Sequence, residues 1–161
     1  MTTTDGLRPG RAMISLLGST FGTDDGTAKA FSVPGGRGRQ AVLGGADRAG
    51  DEPRLLVDFN RGQPLLSARG QQVGERRGNT VRLWEQEYRV HRPRLRTRLR
   101  FAVTVGEYDV LQAREHSDPG STVRTLRTAG DAALDPIVTL ALILLVARPD
   151  KMGVLYELFR H

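Results

Sequence analysis

The sequence contains no cysteine. Disulfides and thiolate metal sites are therefore excluded, which suits a reducing cytoplasm. A chain of 161 residues needs no such staples, because one core of that size buries most of its own apolar surface. Lysine is nearly missing as well. Of 24 basic residues only Lys29 and Lys151 are not arginine, and 18 acidic residues leave a formal net charge of +6. The arginine bias fits a GC-rich genome as well as it fits guanidinium chemistry. The positive balance favours acidic partners such as nucleic acid or anionic lipid.

Long hydrophobic runs are also lacking. The N-terminal "MTTTDGLRPGRAMISLLGSTFG" has too short an apolar core for a secretory signal. The one strongly apolar stretch, "PIVTLALILLVA" at 136–147, has 12 residues. As a helix it covers about 18 Å, against a hydrocarbon core of roughly 30 Å. No transmembrane segment is expected.

Catalytic signatures are missing in turn. There is no Walker lysine, Gly-x-Ser-x-Gly elbow or His-Glu-x-x-His helix. "GGRGRQA" (35–41) contains Gly-x-Gly-x-x-Ala, but "VLGGADRAG" after it will not form the helix a dinucleotide site requires. His91, His116 and His161 lie in separate segments without metal-ligand spacing, and His91 sits among arginines that repel a cation. Glu85 and Glu87 on an exposed strand gain no desolvation to make an acid/base pair. The expectation is a protein that is not an enzyme and carries no cofactor and no metal.

What is present is turn chemistry. Gly, Pro, Asp and Asn recur every 8 to 12 residues, separating β-branched or aromatic runs at 30–33, 54–59, 64–69, 80–90, 95–105, 108–115 and 121–128. That rhythm predicts an all-β sandwich or barrel. A weak repeat agrees: "LVDFNRGQPLLSARG" and "FAVTVGEYDVLQARE" align as strand, turn, strand, with Arg69 matching Arg114. Residues 1–12 read as a flexible N-terminus and "VPGGRGRQAVLGGADRAGDEP" as a long glycine-rich loop. One domain is expected over 13–161.

The C-terminal third changes character. Asp135 followed by Pro136 is a helix start, since Asp accepts from free backbone N–H groups and Pro fits the first helical position. Pro149 biases Arg148 away from helical geometry. The run at about 136–147 is apolar on every side, so this helix must be enclosed by protein all round.

Short strands enclosing one all-apolar helix resemble the tubby C-terminal-like superfamily, which includes the LURP-one-related proteins and the phospholipid scramblases. "GDAALDPIVTLALILLVARPD" (130–150) is similar to that family's acidic residue and apolar helix. "TDDGTAKAFSVPGG" (23–36) and "VDFNRGQPL" (57–65) resemble its opening hairpin and second turn. The long loop at 34–53 and the extension at 151–161 depart from its pattern. The resemblance implies a mainly β fold, a closed antiparallel β-barrel around a buried hydrophobic C-terminal α-helix. It also implies a bacterial binding protein, cytoplasmic and peripheral at the inner membrane face, with phosphoinositide-type headgroups as ligand.

"RPRLRTRLRF" (92–101) carries Arg92, Arg94, Arg96, Arg98 and Arg100 at every second position. With a strand's period of 2, all five share one face, opposite Leu95, Leu99, Phe101 and Val103. Two readings remain open. The stripe is a solvated exterior, with Glu85 and Glu87 as cross-strand partners. Or it holds phosphate, which the guanidinium fork matches, with Arg82, Arg89 and Arg114 widening it. Nucleic acid is the rival anion, but single-strand binding calls for exposed aromatics, and alternation puts Trp84 and Tyr88 towards the core. A protein-interaction barrel without any ligand is the plainest alternative.

Overall fold

The computed structural model describes residues 7–15, 20–23, 26–33, 38–48, 50–60, 62–92, 100–116 and 123–147. They form twelve strands and one helix. The strands are β1 (Leu7–Ser15), β2 (Thr20–Thr23), β3 (Ala28–Ser32), β4 (Arg39–Gly44), β5 (Leu55–Asp58) and β6 (Leu65–Ala68). Then come β7 (Gln71–Arg77), β8 (Thr80–Leu83), β9 (Gln86–His91), β10 (Arg100–Val105), β11 (Tyr108–His116) and β12 (Val123–Asp131), followed by α1 (Pro136–Ala147). Each strand pairs antiparallel with the next, and β1 pairs with both β2 and β12. The meander therefore closes into a barrel, which removes the free edges an open sheet would expose.

The helix fills the interior. Six consecutive residues, Leu140 to Leu145, are each 0% exposed. Successive helical residues are about 100° apart, so burial at all six means protein on every side. Val57, Leu66, Val81, Leu83, Val90, Val103, Leu111 and Leu126 supply the inward row of the strands, and Tyr88 joins them, its hydroxyl pKa pushed up by burial. Both helix ends are tied. The Asp135 carboxylate accepts from the Ile137 N–H at 2.8 Å. At the far end Arg76 Nη1 donates to the Leu145 carbonyl, while its Nε donates to the Gly78 carbonyl at 2.9 Å. A cation there satisfies an orphan acceptor and complements the helix dipole.

Asp47 ties the turn after β4. Its Oδ2 accepts from the Gly44 N–H at 2.9 Å and from Arg54 Nε at 3.1 Å, and these bonds hold its carboxyl below the ordinary carboxylate value. Gly45 passes so close to the β2–β3 turn that a Cβ would lie 2.0 Å from the Gly26 carbonyl oxygen.

Several expectations change. β4 runs through the segment expected to be one long loop, burying Gln40, Val42 and Leu43. β1 begins at Leu7, inside the expected flexible end, and closes the barrel. The run at 80–90 is two strands joined at Trp84 and Glu85, both left-handed with φ of 46° and 66°. Such a pair makes the tight two-residue hairpin whose twist suits neighbouring strands. Trp84 consequently stands 48% exposed rather than in the core, whereas Tyr88 is buried as expected. The two repeat segments do form hairpins, β5–β6 and β10–β11, but Arg69 lies in a turn while Arg114 is within a strand.

Candidate anion-binding face

Of the arginine stripe, the two members among the described residues flank the ends of two different strands. β9 ends at His91, just before Arg92, and β10 opens at Arg100, so these two lie at the same end of neighbouring antiparallel strands. Arg94, Arg96 and Arg98 lie outside the described residues. The inward side of β10 is Phe101 and Val103, which leaves Arg100 on the exterior, as the alternation predicts.

Register then extends the basic cluster sideways. Arg100 pairs with Arg114 of β11, and Arg114 pairs with Arg127 of β12. Arg100, Arg114 and Arg127 are all exposed. Like charges placed directly opposite one another on neighbouring strands repel, at roughly 0.2–1 kcal/mol per pair. Three arginines elsewhere on the barrel have carboxylate partners: Arg39 with Asp58 at 3.4 Å, Arg54 with Asp47 at 3.1 Å and Arg77 with Glu75 at 3.3 Å. Among the described residues no carboxylate pairs with Arg92, Arg100, Arg114 or Arg127.

A single irregularity sets this row. The Gly106–Glu107 turn pairs Thr104 with Asp109, but Val103 pairs with Leu111, so Val110 is an inserted bulge residue. Without the insertion Arg100 would lie opposite Ala113. With it, Leu111 and Ala113 stay inside while Gln112 and Arg114 face out.

The four guanidinium-bearing residues surround one concavity of about 960 Å³ on the barrel flank. Arg92, Arg100, Arg114 and Arg127 line one part of it, and His91, Thr104, Asp109 and Gln112 another, with small residues Ala102 and Ala129 between. The volume is of the size that takes a small ligand. Of the residues the sequence singled out, Arg92, Arg100 and Arg114 come together here. Arg89 is exposed on the outer side of β9, opposite Thr104, but does not line the concavity. Arg82 pairs across strands with Glu87, in a separate shallow cleft with Glu75 and Arg77. Arg127 was not anticipated. Its place depends on register with β11, and the only signal was that its own run "VRTLRT" carries arginines on a strand next in order.

The exposed aromatics among the described residues are elsewhere. Trp84 and Tyr108, which is 72% exposed, sit at the hairpins β8–β9 and β10–β11. Antiparallel order puts those hairpins at the opposite end of the barrel from Arg92 and Arg100. Comparison with family models, curated proteins and solved structures yields no match for this chain.

Proposed function

We propose that this protein is a non-enzymatic, tubby-like binding module that holds the phosphates of anionic lipid headgroups, phosphoinositide-type among them, on its arginine face. It would act as a peripheral protein at the cytoplasmic membrane surface. One observation carries the reading: four arginines line a concavity and none of them is ion-paired among the described residues, while Asp109, the carboxylate in its lining, accepts from Gln112 instead. A face that repels itself when empty gains most from a ligand with several negative oxygens, because each guanidinium offers paired donors to phosphate. No helix among the described residues is long and apolar enough to cross a membrane. Attachment through the face would thus be electrostatic.

Nucleic acid fits less well. Among the described residues the exposed aromatics stand at the other end of the barrel, and Phe101, the aromatic at the concavity, is only 3% exposed.

The test is vesicle sedimentation. Binding should require acidic lipid, weaken steeply as salt rises, and drop at least tenfold in the combined variant Arg100→Gln, Arg114→Gln, Arg127→Gln. Equal sedimentation with neutral phosphatidylcholine vesicles would refute it. So would a low-salt gel shift with single-stranded DNA in the absence of vesicle binding.

A further inference from the structure

The bulge that aligns the arginines also builds something beside them. Asp109 and Gln112 are three residues apart, and in a regular strand they would point to opposite faces. The inserted Val110 brings both to the outer face, where Gln112 Nε2 donates to Asp109 Oδ2 at 2.7 Å. Across the strand, His91 Nε2 and Thr104 Oγ1 lie 2.9 Å apart. Asp109 is only 9% exposed and Thr104 only 6%, yet both line the same concavity as the arginines. A bulge that re-aims side chains beside a concavity is a recurrent device of binding sites.

The concavity is therefore two-ended. Gln112 is two residues from Arg114 along β11, about 7 Å, and Thr104 is four residues from Arg100 along β10, about 13 Å. A carboxylate at the far end repels a second phosphate and accepts hydrogen bonds from hydroxyls. The amide, imidazole and threonine hydroxyl add both donors and acceptors. A ligand matching both ends has its phosphate on the guanidiniums and a hydroxylated body extending towards Asp109.

We infer that the site takes a phosphorylated polyol, with Asp109 and Gln112 as the pair that recognises its hydroxyls. This rests on the arginine face being a phosphate site. The polyol can be a free sugar phosphate or the headgroup of a lipid, and the chemistry at the protein is the same.

Calorimetric titration of the full chain separates the cases. Glucose 6-phosphate is expected to bind about tenfold tighter than inorganic phosphate, the gain expected of one or two added hydrogen bonds, one of them to a charged group. For the lipid source, vesicles with phosphatidylinositol should bind about tenfold tighter than vesicles with phosphatidic acid at equal charge. A preference in either arm supports the inference and assigns the source. Asp109→Asn, which is isosteric, and Gln112→Ala should each abolish that preference while leaving inorganic phosphate binding within twofold. Arg114→Gln should weaken every ligand.

If phosphate binds but neither arm shows a preference, or if Asp109→Asn and Gln112→Ala both keep it, the polyol inference falls and the phosphate site stands. If neither phosphate nor acidic vesicles bind at all, both fall together.

Discussion

Consider shortening four consecutive helix side chains one at a time: Leu142→Ala, Ile143→Ala, Leu144→Ala and Leu145→Ala. Each residue is 0% exposed, and together the four cover about 300° of the helix circumference. A helix lying on a surface would have at least one tolerant position among four neighbours. A helix inside a barrel has none. Removing the buried carbons of a Leu or Ile costs transfer free energy plus the cavity left behind, about 2–5 kcal/mol at each site. Domain stabilities are about 5–15 kcal/mol, so most of these variants should still fold in water. Urea titration followed by far-ultraviolet circular dichroism measures the loss as a lowered midpoint with an unchanged slope. The expected pattern is flat, four comparable losses with no 3.6-residue periodicity. If one of the four loses less than about 0.5 kcal/mol, the size of an ordinary surface change, the enclosed helix is wrong.

Other perturbations probe the parts that hold the helix in place. Arg76→Met keeps the stem but leaves the Leu145 carbonyl without this donor; a loss of about 1–3 kcal/mol is expected in the same titration, and no loss would mean the cap is idle. Gly45→Ala drives a methyl into the Gly26 carbonyl, so the melting temperature should fall by several degrees, whereas Gly50→Ala, with open space around it, should change little. Asp47 has a folded-state pKa below its ordinary 3.8, so its contribution is fully present above that value and fades as pH falls through the lower, folded value. Asp47→Asn should therefore flatten the acid limb of a stability–pH profile and leave its neutral limb parallel to the wild type.

How far the sequence discloses all this depends on whether a feature is local. The helix is local: Asp135, Pro136 and the unbroken apolar run state its start, its length and its burial, and α1 spans the expected residues. The strand rhythm is local too, and most expected strands are present. What escaped were features decided by pairing. β4 hides in glycine-rich sequence because its hydrophobic residues are few, Ala41, Val42 and Leu43, and its partners β3 and β5 make it a strand. The Trp84–Glu85 turn contains neither Gly nor Asn, the residues that normally announce left-handed backbone. The arginine face was half visible. Alternation along one strand identified Arg100 as outward, but Arg114 and Arg127 join it through register, and that register turns on one inserted residue, Val110. Nothing in "YDVLQARE" distinguishes a bulged strand from a regular one.

Whether this face binds anions is decided by thermal unfolding at low ionic strength, with and without added phosphate. It compares the wild type with the combined variant Arg100→Gln, Arg114→Gln, Arg127→Gln. Without phosphate the variant should melt higher, because three facing cations no longer repel. Phosphate should then raise the wild-type melting temperature progressively, by about 2.7 kcal/mol of stabilisation at a hundred times the dissociation constant, and leave the variant unmoved. A wild type that phosphate does not stabilise, or a variant that phosphate stabilises equally, would contradict the assignment of this face to anion binding.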